Sequence, residues 1–272
     1  MYRRYARLLA VTAALPCLPR CADARSLRAL LGERQSNITL RKRLHVNALI
    51  TEPGTVEIDW SGLYSFSDTE FTMPSAIRYT PEGRTVWWGR TEYSLAFDTL
   101  SNVDYAGGRL TQFSRTVSVA ATTVLHDGER LDIAIAPQAT FFLRDYSGAR
   151  IGATAIIRYD AGRNSAGGAL SWSGATHSAD GNPAGILAAG FGFGRRLATQ
   201  GLLGKFTPHT NLVTEKSAGT GNIVSVFEGV EYQLTPRFAI DVSGQHIGVA
   251  GGIPNHQIAA GITLNLGKWT HK

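Results

Sequence analysis

Between Thr55 and Phe66 apolar side chains fall on alternate positions. Val56, Ile58, Trp60, Tyr64 and Phe66 share one parity, and Glu57, Asp59, Ser61 and Ser65 share the other. Successive side chains of a strand point to opposite faces, so this pattern makes one face apolar and the other acidic or hydroxylated. The same alternation returns in residues 130–144. There Leu131, Ile133, Ile135, Pro137, Ala139, Phe141 and Leu143 oppose Asp132, Gln138, Thr140 and Arg144. It returns once more near the end, where Ile258, Ala260, Ile262, Leu264 and Leu266 oppose Gln257, Thr263 and Asn265. Soluble strands average about 5–6 residues, whereas a strand that crosses a bilayer needs about 9–11. Length and alternation together predict strands whose apolar face meets lipid. A soluble sandwich or lipocalin-like barrel uses the same alternation with the apolar face turned inward.

Turn residues divide the chain into strands near 54–67, 71–80, 84–98, 108–125, 130–144, 150–160, 167–177, 184–196, 204–215, 222–234, 237–247 and 256–269. The expected fold is all-β, an antiparallel up-and-down transmembrane barrel of about twelve strands. Ten and fourteen remain open, because the segments 71–80, 167–177 and 204–215 alternate weakly. HDGER (126–130) and LTPR (234–237) read as tight turns on one side. SNVDYAGG, HSADGNPA, EKSAGTGN and GVAGGIPNH read as longer loops on the other. Glu228 sits on the apolar parity of Val224, Val226, Val230 and Tyr232, and a bulge there is expected to turn it inward. The last strand is expected to close the barrel against the first, since a barrel leaves no free edge. Trp87, Trp88, Tyr93, Trp172, Phe191, Phe193, Tyr232 and Trp269 are candidates for an interfacial aromatic girdle.

Composition agrees. Charged residues are 18% and Gly is 30 of 272, against about 25% charged and 7% Gly in ordinary domains. No apolar run approaches the ~18 residues of a transmembrane helix. Arg3, Arg4 and Arg7, the apolar stretch Leu8–Leu18 and Ala22-Asp23-Ala24 form an export signal with cleavage near Arg25. A short amphipathic membrane helix is the rival reading of that segment. Removing residues 1–24 roughly halves the formal charge of +6, which weakens any argument for nucleic acid. Cys17 and Cys21 both precede the cleavage site. Pro16 and Arg20 before them do not suit lipidation, so the mature chain is expected to hold no disulfide or thiolate site. Residues 25–52, with Arg41-Lys42-Arg43, do not alternate and are expected to form a periplasmic extension or a plug. The barrel itself takes residues 53–272.

No catalytic, cofactor or metal constellation emerges. His177-Ser178 are adjacent and would face opposite ways on a strand. His209 and Asn211 share a face without a serine, and His45, His126, His177, His209, His246, His256 and His271 are scattered. Gly190-x-Gly192-x-Gly194 alternates with Phe191 and Phe193 inside one strand, which is not a phosphate loop. The expected lumen lining is Glu57, Asp59, Glu92, Asp132, Gln138, Arg144, Thr154, Arg158, Asp160, Asp241 and Asn265. These side chains form either a selectivity surface or a set of charges that only pair with one another.

Four stretches, ITEPGTVEIDWSGLYSF, MPSAIRYTPEG, HDGERLDIAIAPQATF and EGVEYQLTPRFAIDVSGQ, together with the closing strand, resemble the outer-membrane barrels named for the meta-pathway of phenol degradation. The resemblance spans roughly residues 46–269 and implies an outer-membrane transporter for small, aromatic or hydrophobic solutes. It transfers no site residue. The expectation is thus a passive, non-enzymatic channel of the bacterial outer membrane, without cofactors, whose partners are membrane lipid and small solutes. A lipid-modifying barrel enzyme and an adhesive or structural barrel are the alternatives.

Overall fold

A computed structural model describes residues 50–268 apart from 67–69, 83–88, 106–107, 113–115, 144–147, 178–183, 218–221 and 250–254. The expected cleavage site and lead-in through residue 49, Arg144, Trp87, Trp88 and Trp269 lie outside the described residues.

The strands in chain order are β1 (Thr55–Ser65), β2 (Glu70–Tyr79), β3 (Thr91–Tyr105), β4 (Gly108–Gln112), β5 (Thr116–Asp127), β6 (Leu131–Phe142) and β7 (Ala149–Ala161). They continue with β8 (Asn164–Ala175), β9 (Gly185–Arg195), β10 (Phe206–Ser217), β11 (Ile223–Thr235), β12 (Phe238–Val249) and β13 (Asn255–Lys268). Neighbours pair antiparallel in the order β2-β1-β13-β12-β11-β10-β9-β8-β7-β6-β5-β3, and β2 also pairs with β3, which closes the ring. β4 and β5 follow one another along β3, whose first half pairs with β5 and whose far end pairs with β4. The result is a closed twelve-stranded barrel. As expected, β13 closes on β1, with Glu57 opposite Asn265, Trp60 opposite Ile262 and Ser65 opposite Gln257.

Burial shows which face is which. The parity that carries Trp60, Ile151, Leu170, Trp172, Phe191 and Val242 is 46–59% exposed. The opposite parity carries Glu92, Asn211, Gln257 and Arg158 at 1–2%. Exposed apolar belts around polar interiors are stable in lipid, where water no longer penalises the outer face. A soluble barrel would invert this distribution.

Two expectations fail. The third strand runs 91–105 rather than 84–98. Its register is set by distant partners, Pro74 opposite Asp98 and Thr91 opposite Thr123. SNVDYAGG is accordingly strand as far as Tyr105, paired with Gly108–Gln112. The expected bulge at Glu228 is also absent. β11 stays in register there, Glu228 facing Thr210 and Gly244, and the side chain is exposed on the outer face. An outward carboxylate in mid-strand is an unfavourable choice in a bilayer. Glu228→Val is therefore expected to raise the unfolding free energy of the barrel, read by urea titration, by less than the about 2–4 kcal/mol cost of an outward Arg or Lys at mid-depth. Unchanged or lowered stability would show that Glu228 is not facing lipid.

Candidate functional site: the barrel lumen

The lumen has walls of different character. On β1 and β2, Arg78 points inward between two carboxylates. Its Nη1 donates to Glu57 Oε1 at 2.6 Å, and its Nη2 meets Asp59 Oδ2 at 2.5 Å. Thr263 Oγ1 on β13 donates to Asp59 Oδ1 at 2.6 Å. Glu92 of β3 lies at the same end, only 1% exposed, and its Oε2 accepts the Thr51 N–H at 2.7 Å. A buried cation held by several carboxylates is favourable only if all are kept together, because each ion has given up its hydration.

A second charged group lies on β6 and β7. Arg158 Nη2 meets Asp160 Oδ2 at 2.5 Å, and Asp132 stands directly across from Arg158 in the strand register. Nearer the other end of β7, Arg150 Nη1 reaches Ser173 Oγ at 3.5 Å, while Thr154 Oγ1 donates to Ser171 Oγ at 3.0 Å. Along β10 to β13 the inward groups include His209, Asn211, Glu215, Glu231, Asp241, Gln245 and Gln257. Close approach here depends on glycine. A Cβ on Gly261 would lie 2.6 Å from Ser61 Oγ and 2.8 Å from Asp241 Oδ1, so the bare backbone leaves room for both groups over it.

The wall of β8 and β9 is lean. Ser165, Gly167, Ala169, Ser171 and Ser173 alternate inward on β8, as do Ala188, Gly190, Gly192 and Gly194 on β9. In the ring order β8 stands opposite the β1–β2 seam. The small inward residues of β8–β9 thus face the Arg78 cluster across the ring. Polar atoms along the interior, including both amide atoms of Gln257 and Oε1 of Gln245, have no protein hydrogen-bond partner. Leaving such groups unsatisfied in a dry core costs about 1–3 kcal/mol each, whereas a hydrated lumen satisfies them.

Of the residues singled out from sequence, Glu57, Asp59, Glu92, Asp132, Gln138, Thr154, Arg158, Asp160, Asp241 and Asn265 stand on the inward parity. Sequence reading missed Arg78, Glu70, Arg150, Glu215, Glu231 and Gln245, and it placed Gln257 on the inward parity without counting it in the lining. Arg78 was hidden because its inward neighbours Pro74 and Ala76 are apolar, so β2 does not alternate cleanly. The structure also brings His246 and His256 together on the outer face, directly opposite each other on β12 and β13.

No known family pattern matches the chain, and no curated protein matches it in sequence. Solved structures do match in fold. The COG4313 outer membrane channel from Pseudomonas putida F1 superposes with a TM-score of 0.60 at 7% identity, covering 79% of this chain and 97% of that one. The NanC porin gives 0.56 at 10% identity, covering 76% and 98%. The KdgM porin gives 0.53 at 10% identity, with the same coverage. At such identities the likeness is one of architecture. The chain folds as a closed twelve-stranded barrel of the kind found in bacterial outer-membrane porins.

Proposed function

We propose that the protein is a passive channel of the bacterial outer membrane for small solutes. The observation that carries this reading is the inside-out barrel, an apolar exposed belt around a polar, charged interior with one lean wall. Eight strands leave an interior filled by side chains and 16–18 leave a wide aqueous pore. Twelve strands support a narrow path. Carboxylates outnumber guanidinium groups among the described inward residues, which favours cationic or neutral solutes over anions. The resemblance to the phenol meta-pathway barrels adds aromatic or hydrophobic solutes to the candidates. Among the described lumen residues, nothing supports the lipid-modifying alternative.

The lead-in, residues 25–52, is proposed as a plug. Its support is the hydrogen bond from Thr51 to the lumen carboxylate of Glu92, the burial of Ile50 and the opposite charge of Arg41-Lys42-Arg43 and the acidic wall. Flux into liposomes, measured over a panel of charged, neutral and aromatic solutes, tests both readings. Small solutes are expected to enter faster than into protein-free liposomes, and deletion of residues 26–49 is expected to raise the rate. No flux from either form, with lipid hydrolysed instead, would overturn the channel. Equal flux from both would overturn the plug alone.

A further inference from the structure

We propose that His246 and His256 form a two-imidazole chelate for a divalent transition metal on the outer face of the barrel, at the end that carries the loops after β8, β10 and β12. The two residues are direct cross-strand partners in the β12–β13 hairpin, where facing Cβ atoms lie about 4.5–5.5 Å apart. Both side chains are exposed, and their neighbours Gln245 and Gln257 stand opposite each other on the inward face. The rings meet edge to face at 78°, with Nδ1 2.7 Å from Nδ1. One Nδ1–H therefore donates to the other ring's bare Nδ1. The two Nδ1 atoms thus already face each other at hydrogen-bond distance, close to the separation a bidentate ligand requires.

Zn2+ bonds of about 2.0–2.1 Å in tetrahedral geometry would place the nitrogens about 3.3 Å apart. The exposed rings reach that separation by a small rotation. The donor ring passes its proton from Nδ1 to Nε2 through solvent, so both rings stay neutral, both Nδ1 atoms bind the metal, and water fills the remaining positions. Imidazole suits Zn2+, Ni2+ and Cu2+, while Ca2+ and Mg2+ require oxygen ligands. The metal would bridge the strand that closes the barrel to its neighbour.

The test uses full-length protein without an affinity tag, folded in detergent and titrated calorimetrically with ZnCl2 at neutral pH. One Zn2+ per chain is expected to bind saturably, and CaCl2 to give no binding. His246→Ala and His256→Ala are each expected to weaken Zn2+ at least tenfold, and His126→Ala, on the opposite rim, to leave it unchanged. Heat-modifiable gel mobility verifies that each variant is folded, and a glutamine variant at the same position replaces any alanine variant that is not. Absence of saturable Zn2+ binding, or affinity indifferent to both histidines in folded protein, would overturn the proposal.

Discussion

Arg78→Ala is expected to destabilise the barrel by about 3 kcal/mol, the low end of the about 3–5 kcal/mol cost of removing one partner from a buried ion pair. The guanidinium side chain is 6% exposed and its two carboxylate partners are 20% and 7% exposed. Without it Glu57 and Asp59, two residues apart on the same face of β1, repel each other with Glu92 nearby. The low end of the range applies because lumen water hydrates part of the exposed charge. The same reasoning predicts rescue. Asp59→Asn in the Arg78→Ala background removes one of the repelling charges and is expected to recover part of the loss. Urea unfolding of folded protein in lipid or detergent reads both effects. A loss under about 1 kcal/mol, as for exposed ion pairs, would show that the cluster is solvated and structurally idle.

A second large effect separates the two faces of β13. Ile262 stands outward between Trp60 and Ile240, two side chains exposed at 46% and 37%. Arginine at that position faces lipid, at a cost of about 2–4 kcal/mol near mid-depth. Thr263 is the next residue and points inward, its hydroxyl on Asp59. Arginine there enters an acidic lumen beside a carboxylate. Ile262→Arg is thus expected to impair folding or insertion far more than Thr263→Arg, as read by heat-modifiable mobility. Equal damage, or greater damage at Thr263, would mean that the apolar face is not the lipid-facing one.

Much of this architecture was legible because lipid and lumen impose opposite polarity on consecutive residues. In β1, β6 and β13 both constraints act at every position, so alternation reveals strand, length and facing at once. The signal fades where one face is not under that pressure. In β2 the inward parity holds Pro74 and Ala76, and Arg78 disappears among them. On β8 the inward parity is Gly, Ala and Ser, which reads as weak alternation. β3 was displaced by seven residues, because its ends are fixed by pairing with β2, β4 and β5 rather than by local sequence. Glu228 was correctly assigned to the apolar parity, and the bulge invoked to turn it inward does not form. The meeting of His246 and His256 depends on hairpin register, which scattered histidines do not disclose.

The most direct test of the account is single-channel recording of the purified protein in planar bilayers, with wild type and Gly192→Leu compared. Gly192 faces inward on the lean wall, opposite Gly167 and Asn211 in register, so a leucine there occupies the proposed path without touching the lipid face. Discrete conductance steps are expected for the wild type, with a cation-preferring reversal potential in a salt gradient and smaller steps for Gly192→Leu. Absence of steps from folded, inserted protein, both intact and lacking residues 26–49, would contradict the claim that the lumen is a hydrated passage.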